Sequence, residues 1–296
     1  MTSASAASHT SAAQTPHLAE MTFLGFDKCK GIRRGPVFLI ASGGSARNFP
    51  VEEFAHVPMI TMNGAISLLA EKDIAPYFYV CSDRHFSVQQ PRLYATAMRI
   101  SENVAIWQDQ LDGDRPLPRG GAYALEKTPR GSLLSILLHR QGSLIRKRSL
   151  WSSRCRDIGF SKDMSQGFFD ARTVMYVALQ LACHLGFEQV FLVGFDLNPS
   201  AGRFYETCDR ERSLCGLDQH YHKRILPSLK LMVSQVVNDL FRVFNLSSVS
   251  RVPENVIPRI SLEAARQLIK AAPDAATSHP DSAVMTCVVR AGPALG

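Results

Sequence analysis

The sequence has no apolar run of the roughly 18 to 20 residues that a membrane-spanning helix needs. Its first residues also lack the basic start and apolar stretch of a secretory signal. The seven cysteines are odd in number and irregularly spaced, which disfavours a disulfide framework and fits a reducing compartment. We therefore expect neither secretion nor membrane insertion and predict a cytoplasmic location.

Familiar nucleotide-binding and metal-binding motifs are missing as well. Neither GxGxxG nor GxxxxGK[ST] occurs, so a classical dinucleotide fold and a P-loop are disfavoured. Cys208, Cys215, His220 and His222 match no common zinc spacing and include no paired CxxC, so no metal site is predicted there. Asp112-Gly113-Asp114 resembles the DxD of many glycosyltransferases but is equally ordinary as a loop.

Positive charge exceeds negative charge in this chain of 296 residues, giving a formal net charge of +7. Such a balance attracts polyanions: nucleic acid, anionic lipid or a phosphorylated substrate. The densest basic stretch, Arg140–Arg156, is interleaved with apolar residues. It predicts either peripheral contact with anionic lipid at the inner face of the plasma membrane, or a solvated basic lid. Nucleic acid is not an expected partner because no recognised motif accompanies the charge.

Short apolar runs alternate with stretches at helical spacing, as in βα units around a mostly parallel sheet. We predict an α/β fold with a doubly wound, Rossmann-like sheet flanked by helices, forming one domain over residues 21–272. Residues 1–20 and 273–296 are expected to be disordered tails, and 108–165 an insertion or lid. Predicted strands cover 37–40, 59–62, 77–80, 104–107, 190–193 and 242–246; predicted helices cover 51–54, 65–72, 169–185 and 222–241.

Polar and small residues follow several predicted strands. In open α/β sheets, ligands bind beyond the carboxyl ends of the strands, so these residues should line one crevice: Ser42, Gly43, Gly44, Ser45, Asn63, Ser82, Asp83 and Asp196. The two glycines permit close backbone approach to a ligand, and exposed amides with the Ser45 hydroxyl can hold phosphate oxygens. A plain strand-to-helix turn is the alternative.

Two of these residues have ordinary structural alternatives. Asp196 can hold a ribose hydroxyl or a metal, or it can cap the turn that follows it. Asn63 can pair with a base or phosphate, or close its own turn.

Further candidates lie in the polar region after residue 196. His220 and His222 come just before a predicted helix, where a histidine can take a proton from an attacking hydroxyl or simply lie at the surface. Arg203 and Tyr205 can hydrogen-bond a phosphate leaving group, or pin a loop.

The segments FLIASGGSARNFP, MITMNGA, SQGFF, LGFEQVFLVGFDLN, GRFYE and DQHYH, in this order, resemble the family-42 bacterial sialyltransferases. They are similar also to lipopolysaccharide-core proteins resembling transferases of Kdo (3-deoxy-D-manno-octulosonic acid), and to the methanopterin-pathway diphosphokinase-like domain. The likeness covers most of residues 36–246.

The resemblance implies a CMP-type nucleotide pocket. The sialyltransferase segment G-N-G-P-S falls on Ala41–Ser45, with three positions changed, and its Cys-Asn falls on Met62-Asn63. Its Thr-Ser-Gly falls on Ser165-Gln166-Gly167, which makes Ser165 and Gly167 candidate donor-binding residues.

The resemblance also implies the reacting groups. The first of two phosphate-binding tyrosines falls on Asn198, and the second on Tyr205 or Phe204. The base is the second histidine of His-Tyr-x-x-His, whereas this chain has His-Tyr-His, so His220 and His222 both remain candidates.

The implied reaction is inverting transfer of sialic acid or Kdo from a CMP-sugar donor to a glycan or lipopolysaccharide-core acceptor, with no cofactor required. One alternative is an ATP- and Mg²⁺-dependent diphosphokinase acting on a small pterin-like alcohol, with Asp83 and Asp196 as metal ligands. Another is a non-catalytic protein that keeps the nucleotide fold. A homo-oligomer is compatible with all three.

Overall fold

Seven strands form a single parallel sheet in the computed structural model, which describes residues 22–111, 115–129, 142–147, 157–198, 202–205 and 217–272. Along the sheet the order is β5-β4-β3-β2-β1-β8-β9, and every neighbouring pair is parallel. The strands are β1 (Pro36–Ile40), β2 (Met59–Met62), β3 (Phe78–Cys81), β4 (Asn103–Ile106), β5 (Gly121–Ala124), β8 (Gln189–Val193) and β9 (Arg242–Asn245). The predicted α/β class and parallel sheet are confirmed.

Both faces of the central strands are buried. In β1, Val37 and Leu39 pack into one core cluster, whereas Phe38 and Ile40 pack into a second cluster on the opposite face. Alternate side chains of a strand point to opposite faces, so a strand covered on both sides is apolar at most positions. This burial explains why β1 and β8 are continuous apolar runs in the sequence.

The helices among the described residues cover these two faces. They are α1 (Ile66–Ala70), α2 (Phe86–Gln89), α3 (Pro91–Ile100), α4 (Val174–Leu185), α5 (Leu217–His220), α6 (Leu226–Gln235) and α7 (Leu262–Lys270). A π-helical turn, Tyr221–Ile225, joins α5 to α6. No helix of the described ranges is long and apolar enough to cross a membrane.

The predicted insertion at 108–165 contains more sheet than expected. It includes β5, which pairs with β4 at the edge of the main sheet. It also includes β6 (Leu144–Arg146), which forms a small antiparallel pair with β7 (Gly159–Ser161). Of the basic stretch, Arg146 is described: its guanidinium lies over the Phe169 ring, 4.6 Å from the centroid. Residues 148–156 and 130–141 lie outside the described residues, as do Asp112–Asp114.

The buried helix α4 begins five residues later than predicted. The backbone around Phe168 instead bonds with the chain after β5, because Phe168 N–H donates to Glu126 and Thr128 N–H donates to Phe168. The buried Gln180 side chain accepts from Phe169 N–H at 2.9 Å and donates to its carbonyl at 3.0 Å, which holds this segment extended. At the other end, Gly186 adopts φ +98°, confirming the predicted left-handed termination.

Other helix predictions also need correction. The predicted helix at 222–241 begins earlier, at Leu217, and ends at Gln235. The two candidate histidines therefore lie within the helical segment rather than just before it. The predicted helix at 51–54 is a series of turns, and α2, α3 and α7 were not predicted.

The direction of winding reverses between β1 and β8. From β1 the chain continues through β2 to β5 on one side, whereas from β8 it continues to β9 on the other. In open parallel sheets, such a switch point leaves a crevice at the carboxyl ends of the two strands. The residues after Ile40 and after Val193 therefore border the expected ligand crevice.

Candidate functional site

The turn after β1 and the turn after β8 approach each other as closely as backbone allows. Gly43 N–H donates to the Gly194 carbonyl at 3.1 Å. A Cβ added to Gly43 would lie 2.4 Å from that carbonyl oxygen, and one added to Gly194 would lie 2.4 Å from the Ala41 oxygen. Gly194 also has φ +66°. Side chains are thus excluded at both positions, and the two turns form one floor for the crevice.

Asp196 stabilises this floor through hydrogen bonds to its carboxylate. Its carboxylate accepts from the backbone N–H of Ser45 at 3.0 Å and from the Ser45 hydroxyl. It also accepts from the Ser247 hydroxyl, which follows β9, at 2.5 Å. The residue is only 2% exposed, so the carboxylate joins the ends of three strands inside the protein. This role is structural, but it differs from the predicted cap of the turn after Asp196, because the donors are the distant Ser45 and Ser247. The Ser45 hydroxyl is engaged by the same carboxylate.

A short segment, Gly202–Tyr205, returns across the β1 turn; we call it the strap. Arg203 forms an antiparallel bridge with Gly43, and Phe204 N–H donates to the Ser42 carbonyl at 3.1 Å. Arg47 donates to the Phe204 carbonyl at 3.3 Å. The strap therefore brings Arg203 and Tyr205 to the glycine turn, as the predicted phosphate-binding role requires.

The strap also reaches the end of β2. The Tyr205 ring lies so close to Gly64 that a Cβ there would come within 2.1 Å of it. Arg203 donates to the Tyr205 hydroxyl at 3.0 Å. The neighbouring Asn63 has φ +45°, and its Oδ1 is buried without a hydrogen-bond partner in the described part of the chain. A buried acceptor left unpaired costs about 1 to 3 kcal/mol, which a ligand donor would recover.

Backbone strain occurs at the end of β8 as well. Leu197 adopts φ +53° while only 8% exposed. A left-handed conformation is uncommon for a bulky residue and concentrates at functional sites. The next residue, Asn198, is exposed beside the crevice.

Ser82 and Asp83 lie at the same edge of the sheet but on β3. The Asp83 carboxylate accepts from His85 N–H at 3.0 Å, and the Ser82 carbonyl accepts from the Trp107 indole at 2.9 Å. Two strand spacings separate β3 from β1, about 10 Å. An extended ligand can reach them from the glycine turn, whereas a small ion cannot.

Asp83 and Asp196 belong to separate hydrogen-bond clusters, around His85 and around Ser45. They follow β3 and β8, which are three strand spacings apart, about 14 Å. Two oxygen ligands of one Mg²⁺ each lie about 2.1 Å from the ion. In the ranges that the structure describes, no group of three or more His, Cys, Asp or Glu side chains is arranged to hold a metal.

The structure does not bring Ser165 to the crevice, and it places Gly167 far from the glycine turn. Ser165 N–H and hydroxyl both bond to Asp163, at 3.1 and 2.6 Å. The preceding Met164 N–H donates to His184 at 3.2 Å, in the last turn of α4, toward the amino ends of the strands. Gly167, at φ +86°, packs against the backbone that follows β5, four strand spacings from β1.

Asp163 therefore organises a buried structural cluster. Burial alone would raise its pKa, but the Lys30 ammonium at 2.5 Å and the Ser165 bonds outweigh this and lower the pKa to about 2. The nearby His184 is completely buried, and burial lowers its pKa. Its ring bonds to Met164 N–H and the Phe26 carbonyl.

We expect Asp163→Asn to be less stable than the parent at pH 7, by roughly 1 to 3 kcal/mol for the lost charged bonds. Because the carboxyl pKa is lowered in the folded state, its contribution is complete above about pH 4 and disappears as the pH falls toward 2. Urea unfolding at pH 7, 5, 3.5 and 2.5 should show that the difference in unfolding free energy between parent and variant, the stability gap, decreases as the pH falls. The exposed Asp239→Asn serves as control; a gap independent of pH would contradict the role of the carboxylate.

The candidate histidines lie on the helical segment that flanks the crevice. His220 is half-buried at the end of α5, and His222 is exposed in the π-helical turn. Tyr221, between them, donates to the Arg251 carbonyl at 2.6 Å, and Arg251 N–H donates to the Asp196 carbonyl at 2.8 Å. Arg251 thus connects the crevice floor to residues 217–225, which we call the histidine segment. Such π-helical turns are frequent at functional sites.

Two contributors to this site, Ser247 and Arg251, were missed by sequence reasoning. Both lie on the loop that follows β9, in the segment Leu246-Ser247-Ser248-Val249-Ser250-Arg251. Their position after β9 could have predicted them, because β9 is also a parallel strand whose carboxyl end must face the crevice.

The chain is similar to known transferases. The family model described as 3-deoxy-D-manno-octulosonic acid transferase WaaZ matches residues 132–263. A probable 3-deoxy-manno-octulosonic acid transferase of Escherichia coli (strain K12) is 25% identical over 238 residues, covering 77% of this chain and 83% of that protein. The protein of the same name from Salmonella typhimurium is 24% identical over 237 residues, covering 75% and 86%.

Among solved structures, a MAf glycosyltransferase from Magnetospirillum magneticum AMB-1 aligns with a TM-score of 0.44 and 15% identity. The alignment covers 78% of this chain and 34% of that chain. The family model spans β8, the histidine segment and the loop after β9. The family model and the two named transferases confirm the predicted resemblance to Kdo-transferase-like proteins.

Proposed function

We propose that this protein is a glycosyltransferase that transfers Kdo from CMP-Kdo to a lipopolysaccharide-core acceptor. The observation that carries the proposal is the junction at the β1–β8 switch point, where the glycine turn, the strap and the histidine segment are connected by hydrogen bonds. We propose Kdo as the sugar because the relatives named above are described as transferases of 3-deoxy-manno-octulosonic acid. None of the transferases named above is described as a sialyltransferase.

The donor would lie along the carboxyl edge of the sheet. Because Ser45 is committed to Asp196, we assign the donor phosphate to Ser42, the Gly44 backbone and the strap residues Arg203 and Tyr205. An arginine guanidinium suits phosphate oxygens because it offers several fixed donors.

The nucleoside would extend from the glycine turn toward β2 and β3. The buried Oδ1 of Asn63 supplies an acceptor for a nucleoside donor group. Ser82 and Asp83, about 10 Å from the glycine turn, and the exposed Asn198 border the same edge.

The chemistry we propose is a single inverting displacement. The acceptor hydroxyl attacks the anomeric carbon of Kdo and loses its proton to His220 or His222, while the bond to the CMP phosphate breaks. The negative charge that develops on the departing CMP phosphate is stabilised by the hydroxyls, amides and guanidinium around the glycine turn. No metal takes part in this scheme. The acceptor would approach at the inner face of the plasma membrane, with the basic stretch around Arg146 as the contact surface.

The diphosphokinase alternative receives less support from the geometry. It needs Asp83 and Asp196 near one Mg²⁺, whereas about 14 Å separates their strands and Asp196 is saturated by protein donors. The non-catalytic alternative is decided by the transfer assay.

Ligand-induced thermal stabilisation tests the donor pocket. CMP and CMP-Kdo should stabilise the protein without Mg²⁺, by about 2.7 kcal/mol at a hundredfold excess over the dissociation constant. Asn63→Gly should weaken this effect while keeping the left-handed turn. Asp73→Gly is the matched control, since Asp73 is exposed and has a similar φ of +52°. Stabilisation by ATP with Mg²⁺ but not by CMP would overturn the proposal.

A further inference from the structure

The loop after β9, residues 246–252, makes three hydrogen bonds to the residues that follow β8. The Ser247 hydroxyl donates to the Asp196 carboxylate at 2.5 Å, and the Ser250 hydroxyl donates to the Phe195 carbonyl at 2.6 Å. Arg251 N–H donates to the Asp196 carbonyl at 2.8 Å. The position of this loop is therefore set by the crevice floor.

The same loop contacts the histidine segment through Arg251. The Arg251 carbonyl accepts from the Tyr221 hydroxyl at 2.6 Å. Its guanidinium lies over the Tyr221 ring, 4.1 Å from the centroid, and forms an ion pair with Asp218. Tyr221 is only 3% exposed, and its ring packs edge-on against His222, with centroids 4.9 Å apart.

We propose that Arg251 is a positioning residue that sets the distance between the histidine segment and the crevice floor. The proposal rests on the proposed function, because it gives the segment the task of accepting a proton. One feature of the segment calls for an external support: its π-helical turn departs from regular helical hydrogen bonding.

The side chain and the backbone of Arg251 contribute separately. The backbone bonds to Asp196 and Tyr221 remain available when Arg251 is replaced by alanine or lysine, whereas the stacking on Tyr221 and the pair with Asp218 depend on the guanidinium. Removing the guanidinium should leave the loop attached to the floor but loosen the helical segment against the loop. A displacement of about 1 Å of a catalytic group can lower a rate by 100-fold.

The test compares Arg251→Ala with the parent, using CMP release from CMP-Kdo in the presence of lipopolysaccharide core. We expect kcat to fall by about 10- to 100-fold. The KM for CMP-Kdo and the thermal shift given by CMP should stay within about twofold, since the donor pocket is untouched. Arg251→Lys keeps the pair with Asp218 and should recover part of kcat. Tyr221→Phe, which keeps the packed ring, should lower kcat in the same direction.

Arg266→Ala is the matched control, because Arg266 is an arginine paired with Glu53 and Glu263 on α7 outside the site. It should keep the parent kcat. Equal losses of kcat and CMP stabilisation in Arg251→Ala would overturn the positioning role and indicate a general structural one. A parent kcat in Arg251→Ala would also overturn it, while leaving the transferase proposal intact. A parent protein that neither binds CMP nor releases it from CMP-Kdo would instead refute the proposed function.

Discussion

Replacing the proton-accepting histidine of the pair His220 and His222 by alanine is expected to lower the transfer rate by about 10²- to 10⁴-fold, the usual contribution of a positioned base. The double variant should show the full loss, and the single variants should reveal which residue is responsible. CMP should stabilise all three variants as well as the parent, because neither histidine is assigned to the donor phosphate. Initial rates of CMP release, measured with core acceptor and CMP-Kdo, give the comparison.

His56→Ala is the control for this series, since His56 is exposed after β1 and before β2. It should transfer at the parent rate. If both single variants and the double variant also do so, no histidine of the segment is the base. A loss of CMP stabilisation in the double variant would place the histidines in the donor pocket instead.

Asp196→Ala is expected to lower the free energy of unfolding by about 3 to 5 kcal/mol. The carboxylate accepts three hydrogen bonds from Ser45 and Ser247 while almost fully buried. Bonds to a charged group contribute about 1.5 to 3 kcal/mol each, and the buried donors left unpaired cost more. Urea unfolding at pH 7 measures the change.

Comparison with the donors separates this structural role from a ligand-binding one. Ser45→Ala and Ser247→Ala each remove one hydroxyl and should cost about 1 kcal/mol. Asp196→Asn should be intermediate, because the amide keeps one acceptor but turns its NH₂ toward a donor. A stable Asp196→Ala that no longer responds to CMP would show that the carboxylate acts on the ligand rather than on the fold.

The central strands could be predicted because burial on both faces leaves a simple signature. β1 is apolar throughout and β8 is apolar from Val190 to Val193, and the prediction located both. β5 was missed because Gly121-Ala122-Tyr123-Ala124 is short and small, with only one large side chain. The missed helix α7 did carry a signal, since Ser261 caps its first turn by accepting from Ala264 N–H at 3.1 Å.

The edge that carries the site could be predicted, but the partners at that edge could not. Parallel strands bring Gly43, Asn63 and Asp196 to one end of the sheet whatever the connections are. The donors to Asp196 are 151 and 51 residues away in sequence, and no local pattern indicates them. Ser165 was misplaced because a short motif match carries no information about which end of the sheet a segment lies on.

The pairing of β1 with β8 also determines when the crevice can come into existence during synthesis. Val37 pairs with Val190 and Ile40 with Val193, so the apolar edge of β1 lacks this partner until most of the chain has left the ribosome. Contacts of such long separation form slowly, and an unpaired strand edge promotes association with other chains. A nascent chain ending before Gln189 should therefore depend on chaperones, and CMP binding should report only molecules whose sheet has been completed.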